Sequence, residues 1–329
     1  MKEVAKKANV SVATVSAVIN DNKFVSEELK NRIEQAIIEL NYRPNRFAQG
    51  LKGKKTKLIG VTVTELTNPF YPNMLKQVEE LSYKDGYNLI LSTTGDNEDK
   101  EAKLLQSMID LNVDGLILST IDSEDSKILK LVEKADIPFV LINRAPAEFS
   151  HNKVSVDSFK VGNIATEHLI SLGHHKIAFF GGQRQNSIER QIGFRRTLEK
   201  HGIELEDRFN IDASYDFELA YEKAKQLLTE KNPPTAVFAA SDTMAYGVVK
   251  ACIDLNISIP KELSVIGSDN VPFSEDFRIP LTTVDVHGER MGAQGFELLH
   301  ENIEQPKEFK PQQISIEPSL VIRESTAEK

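Results

Sequence analysis

The feature that most constrains this chain is the run of residues 1–52, which carries three short apolar stripes at helical spacing. Val4, Ala5 and Ala8 share one face of a first helix, and Val15, Val18 and Ile19 share one face of a second. Between them Asn9-Val10-Ser11 makes a turn, and the Ser11 hydroxyl is placed to accept an orphan backbone N–H as an N-cap. A third stripe starts at Ser26, with Leu29, Ile33, Ala36, Ile37 and Leu40. Two short helices joined by a tight turn and braced by a third form a helix-turn-helix. The spacing turns Ala13, Ser16, Ala17 and Asn20 outward on the second helix, and small or polar groups there suit a major groove.

Net charge first points the other way. The chain holds 40 Lys+Arg against 49 Asp+Glu, a net of −9, which alone speaks against nucleic acid. The distribution reverses that reading. Residues 1–57 hold 12 Lys+Arg and 6 Asp+Glu, and the rest holds 28 against 43. A basic head on an acidic body fits phosphate contact through one end only.

The run VSVATVSAVIN, followed by YRPNRFAQGLK, resembles the head and hinge of the lactose/galactose repressor (LacI/GalR) family of bacterial transcription regulators. The resemblance implies DNA contacts by Ser11, Val12, Ala13, Thr14, Ser16, Ala17 and Asn20. It also implies a hinge helix over residues 46–52, in which Leu51 wedges into the minor groove while Arg43, Asn45, Arg46 and Lys52 hold the backbone. Such a wedge unstacks a flexible base step and bends the duplex. Val12, Ala13 and Ala17 lack the donors many members carry, so thymine methyls replace bidentate base reading there. Gln49 stands where a hinge arginine is frequent. The sequence begins almost directly on the first helix, without the usual capping residues before it, so the expectation is either a true start upstream or a helix end that frays.

From Leu58 the pattern alternates strand-like and helix-length segments. LIGVTV, the runs at 87–92, 115–119 and 138–142, then KIAFFGG, TAVFAAS and LSVIGSD read as buried strands of parallel sheets. The fold class expected is α/β: a three-helix head plus a two-lobed, periplasmic-binding-protein-like core. The head and hinge take 1–57 and the effector-binding and dimerisation core 58–329. The resemblance implies lobe one at about 58–160 and 288–318, and lobe two at about 161–287 and 319–329.

Open parallel sheets bind ligands beyond the carboxyl ends of their strands. Past those strand ends lie, in chain order, Asn68, Phe70 and Tyr71; Thr94 and Asp96; Arg144; the run from Gln183 through Ser187 to Arg190; Ser241-Asp242; then Asp269 and Phe273. Rings, arginines and carboxylates converging there suit a sugar, with a ring over its apolar face and charge-assisted bonds to its hydroxyls. The resemblance assigns Asn68, Phe70, Tyr71, Asn143, Arg144, Arg190, Ser241, Asp242 and Asp269 to the effector cleft, and the strand ends add Asp96 and Phe273. Val286 departs from the pattern, because many sugar-binding members carry a hydrogen-bonding residue there.

Cys252 sits in an apolar run and reads as a core residue. His168, His174 and His175 come without a second metal-ligand motif, and Gly181-Gly182 lacks a nucleotide-loop pattern, so neither metal nor cofactor is expected. No nucleophile elbow is present. The first residues lack a signal-peptide core and no apolar run reaches membrane-spanning length, so a cytoplasmic protein without membrane contact is expected.

The expected partners are double-stranded DNA at a pseudo-palindromic operator, a sugar-like effector, and a second copy in a homodimer or tetramer. The rival readings are control by a phosphoprotein corepressor, a sugar receptor without a DNA role, and an enzyme acting on sugars or nucleotides. Leu51→Ala should weaken operator binding in a mobility-shift assay while leaving effector binding intact; unchanged operator affinity would remove the hinge wedge.

Overall fold

A left-handed asparagine or glycine (Asn9, Asn41, Gly86, Asn112, Gly173, Gly202 and Asn256) follows seven of the described helices, because the turn that closes a helix needs a residue that accepts that backbone. The structure, a computed structural model, describes residues 1–20, 23–42, 55–123, 125–146 and 149–329, with the Asn20 side chain left aside. Residues Met1–Thr56 and Lys57–Lys329 form two separate compact units.

In the first unit, α1 (Lys2–Lys7), α2 (Val12–Asn20) and α3 (Glu27–Glu39) enclose Val4, Ala5, Ala8, Val15, Ile33 and Ala36. α1 stops at Asn9, whose φ is 52°, while Val10 N donates to Ala5 O at 2.9 Å. α3 repeats the device: Asn41 has φ 46° and Tyr42 N donates to Ile37 O at 2.9 Å. Both are Schellman motifs, which satisfy carbonyls the helix leaves over. Ser11 caps α2, its Oγ accepting from Thr14 N at 3.1 Å, and Arg32 Nη2 ties α3 to Ala8 O at 2.6 Å. No side chain caps α1.

In the second unit lobe one is built on β1 (Leu58–Val63), β2 (Asn88–Thr93), β3 (Gly115–Leu118), β4 (Phe139–Ile142) and β5 (Lys153–Val156). Between these strands run α4 (Phe70–Lys84), α5 (Glu98–Asp110) and α6 (Lys127–Ala135). Lobe two comes next with α7 (Ser158–Ser171), β6 (Ile177–Gly181), α8 (Gln185–Lys200), β7 (Asn210–Asp212), α9 (Phe217–Leu228), β8 (Ala236–Ala239), α10 (Asp242–Asp254), β9 (Ser264–Ser268) and β10 (Thr282–Asp285). The chain then returns through α11 (Gly288–Glu304) and β11 (Gln313–Ile316), and crosses again to β12 (Ser319–Val321).

The sheet orders are β2-β1-β3-β4-β5-β11 and β7-β6-β8-β9-β10-β12. Every pairing is parallel except β12 against β10. The parallel strands need crossover helices, which cover the faces and make the central strands continuous apolar runs. β5, β7, β10, β11 and β12 were not among the strands expected. All five are short, lie at or next to a sheet edge, and lack a long apolar run.

α7 and α8 pack at backbone distance. A Cβ on Gly162 would stand 2.0 Å from Arg190 O, and one on Gly193 would stand 2.1 Å from Phe159 O. This contact fixes the height at which α8 carries Arg190. Gly162→Ala forces the helices apart and should destabilise the protein by about 1–3 kcal/mol, as overpacking does. A urea-unfolding midpoint equal to the parent's would contradict this.

Candidate functional site

In the head, the exposed surface of α2 is its start. Ser11, Val12 and Ala13 are exposed, with Val12 41% accessible, and Thr14 and Ser16 are partly so. Ala17 corrects the expected outward face, because it is buried at 6% accessibility although it lies outside the apolar cluster. Its side chain is one methyl held against the helix backbone, and larger neighbours are enough to cover it. Helix-turn-helix proteins present the N-terminal residues of this helix to base edges. Arg43, Asn45, Arg46, Leu51, Lys52 and the Asn20 side chain lie outside the described residues.

In the core, the loops at the carboxyl ends of the two sheets meet around a cavity of about 320 Å³. Lobe one contributes Asp96, Asp122 and Arg144; lobe two contributes Gln183, Arg184, Ser214 and Tyr215. Arg144 is buried, and its Nε donates to Asp122 Oδ1 at 2.9 Å while Nη2 takes the other oxygen. Its Nη1 donates to Asp96 and, at 3.1 Å, to Thr64 Oγ1, which also accepts from the Tyr71 hydroxyl at 3.1 Å.

Arg184 crosses from the other lobe. Its Nε donates to Asp96 Oδ2 at 2.9 Å, its Nη2 donates to Glu65 Oε1 at 3.1 Å, and its guanidinium lies 4.5 Å from the Tyr215 ring centre. Burial alone would raise the Asp96 carboxyl, but the two guanidiniums hold it below the ordinary aspartate range.

Arg190 and Asp269 lie in lobe two and line no part of that cavity. Arg190 is 1% accessible; Nη1 donates to Ala240 O and, at 3.4 Å, to Asp269 Oδ1, while Nε has no partner among the described residues. Asp269 is held at φ 125°, a strained value for any residue but glycine. Burial pushes its carboxyl up to about 8; Arg190 opposes the rise and Asp242 adds to it.

Of the residues expected around an effector, the cavity thus brings together Asp96 and Arg144. Asn68 is buried and turns the chain into α4, its Oδ1 accepting from Phe70 N at 3.0 Å. Phe70 and Tyr71 are buried and pack edge to face at 5.4 Å, so neither offers a bare ring to the cavity. Ser241 caps α10, its Oγ accepting from Met244 N at 3.2 Å. Asp242 is wholly buried and accepts from Thr283 Oγ1 (2.6 Å), Ser274 Oγ (2.6 Å) and Val271 N (3.0 Å), which makes it a brace for the loop after β9. Phe273, in that loop, is 64% exposed to solvent and does not line the cavity.

Glu65, Asp122, Ser214 and Tyr215 were missed. Arg184 lay inside the run named after β6, three residues past the strand end, but was not singled out. Asp122 and Glu65 are ordinary loop acids until the fold brings an arginine to them.

Comparison with known proteins settles the family. Residues 1–45 match the model of bacterial regulatory proteins of the lacI family, and residues 166–326 match the periplasmic binding protein-like domain. The chain is 35% identical over 327 residues to the HTH-type transcriptional repressor PurR of Photobacterium profundum, covering 99% of this chain and 98% of that one. It belongs to the lacI family of bacterial regulators.

The ribose operon repressor of Haemophilus influenzae is similar at 34% identity, over 99% of this chain and 98% of that one. Among solved structures, the lac repressor dimer bound to operator and the anti-inducer ONPF superposes with a TM-score of 0.85 at 27% identity, with 98% of each chain covered. This lacI-family chain is therefore a DNA-binding transcription repressor of metabolic genes, with an effector-binding core. Among the described residues no helix is long and apolar enough to cross a membrane.

Asp269 yields a pH prediction. A carboxyl near 8 in the folded state and about 3.9 unfolded holds its proton more tightly when folded. The stability it contributes is fully present below the unfolded value and is lost as pH rises through the folded one. Asp269→Asn should therefore lose less stability than the parent across that window, read as urea midpoints at its acidic and basic ends. An equal loss would place the titration elsewhere.

Proposed function

We propose that the effector is a neutral, polyhydroxylated molecule of the sugar class, bound between the lobes. We further propose that the repressor acts as a homodimer on a pseudo-palindromic operator in the cytoplasm. The observation that carries the effector class is the charge balance of the cleft. Each of its arginines already faces a carboxylate: Arg144 with Asp122 and Asp96, Arg184 with Asp96 and Glu65. A phosphate or acid would have to displace these partners and meet the freed carboxylates. A hydroxyl accepts from the guanidinium and donates to the carboxylate, so it inserts without stranding charge.

Regulation rests on where Arg184 sits. Its contacts hold lobe two to lobe one through Asp96, which also lines the cavity. An effector that engages these groups favours one lobe arrangement by its differential affinity, and that arrangement sets the spacing of two heads on DNA. The homodimer reading draws support from β2, a sheet edge that carries Leu89, Ile90 and an exposed Leu91. Such an edge is a liability unless it is covered, and a second copy would cover it.

The test is a mobility-shift titration on an operator fragment with neutral sugars, sugar acids and phosphosugars. A neutral sugar should change operator affinity by about 5–150-fold, the usual allosteric range. Arg184→Ala, which removes a guanidinium from the cavity lining, should abolish that response. A response confined to phosphosugars would overturn the proposed class.

A further inference from the structure

Lobe one holds a second cavity that the inter-lobe site does not use. It measures about 380 Å³ and is lined wholly by lobe-one residues at the carboxyl ends of β2, β3 and β4 and the starts of α5 and α6. Asp96, Asp122 and Arg144 form the wall it shares with the inter-lobe cavity.

Most charge around this chamber is spent internally. Asp96 and Asp122 are matched by Arg144. Glu98 accepts from Ser126 Oγ and Lys127 N, both at 3.0 Å, and pairs with the Lys127 ammonium at 3.6 Å. Asp125 stands 3.7 Å from Lys130 Nζ.

Glu101 is different. It is 4% accessible, and its Oε1 accepts the hydroxyls of Thr62, at 3.0 Å, and of Thr120. Among the described residues nothing donates to Oε2, although Glu101 lines the chamber. Arg144, the nearest guanidinium that acts on it, is already bound to two other carboxylates. Burial pushes the Glu101 carboxyl above the ordinary glutamate range, as expected of a carboxylate lacking its counter-charge.

A buried carboxylate of this kind is stable when a cationic donor completes it. Among the described residues no three His, Cys, Asp or Glu are disposed to hold a metal ion, so the chamber offers no ready metal-ligand set. An ammonium fits the carboxylate: it brings three donors and a full charge. The chamber can answer with Glu101 and the hydroxyls of Thr120 and Ser123.

We propose that this lobe-one chamber is a separate subsite for the ammonium group of a small amine-bearing ligand of amino-sugar size, with Glu101 as its counter-charge. Occupancy acts on the repressor through the shared Asp96–Arg144–Asp122 wall, so the amine would modulate the inter-lobe effector without replacing it.

The test is titration calorimetry on the full chain near neutral pH, with glucosamine as the probe and glucose as its neutral match. Glucosamine should bind saturably. Glu101→Gln should weaken it by about tenfold or more, the scale of losing one charge-assisted bond. Ser123→Trp, a substitution on an exposed loop, should block the chamber and serves as the second variant should Glu101→Gln fold poorly. Tyr215→Ala, which alters the inter-lobe cavity and not the chamber, should leave glucosamine binding intact. Absence of glucosamine binding to the parent, or parent-like binding in both chamber variants, would overturn the proposal. So would loss in Tyr215→Ala with Glu101→Gln unaffected, which would place the amine between the lobes.

Discussion

The guanidinium of Arg184 leaves lobe two and ends between two carboxylates of lobe one, Asp96 and Glu65. Much of the core's behaviour depends on that reach. Two parallel sheets point their carboxyl ends at one another, and the loops there collect charge that burial would otherwise make costly. Pairing across the gap removes the cost and also makes lobe position a function of what occupies the gap. An exposed ion pair would contribute little, but Arg184 is largely buried and stacked on Tyr215, so its geometry is held.

The scaffold serves that geometry. Gly162 and Gly193 let α7 and α8 touch at the backbone, which sets Arg190 against Ala240 O and Asp269. Asp242, buried under the loop after β9, holds the segment that carries Asp269. Gly267 leaves room for it, since a Cβ there would stand 2.2 Å from Asp242 Oδ1. In the head, the left-handed Asn9 and the Ser11 cap fix the turn that presents the start of α2.

Reading the sequence succeeds where a residue's role is local. The Ser11 cap, the stripes of the first two head helices and the apolar central strands are set by neighbours a few positions away, and the structure contains them. Of the third stripe Ile33, Ala36 and Ile37 join the head cluster, while Leu29 stays outside it and Leu40 is exposed. It falters where a role is made by distant partners. Phe70 and Tyr71 look like ligand-facing rings after a strand, yet α4 turns them into the core. Asp242 and Ser241 look like site polars, yet one braces a loop and the other caps a helix. Arg184 and Asp122 acquire meaning only once the lobes meet. Short edge strands such as β7 and β11 escape because pairing, not composition, makes them strands.

The central claim is that a molecule between the lobes and an operator under the heads act on one equilibrium. Thermodynamic linkage makes that coupling reciprocal for binding free energies. The most direct measurement is the effector's dissociation constant, taken by calorimetry on the repressor alone and on the repressor saturated with operator. The two constants should differ by the same factor, in the same sense, by which the effector changes operator affinity. Equal constants with and without operator would contradict control through the lobes.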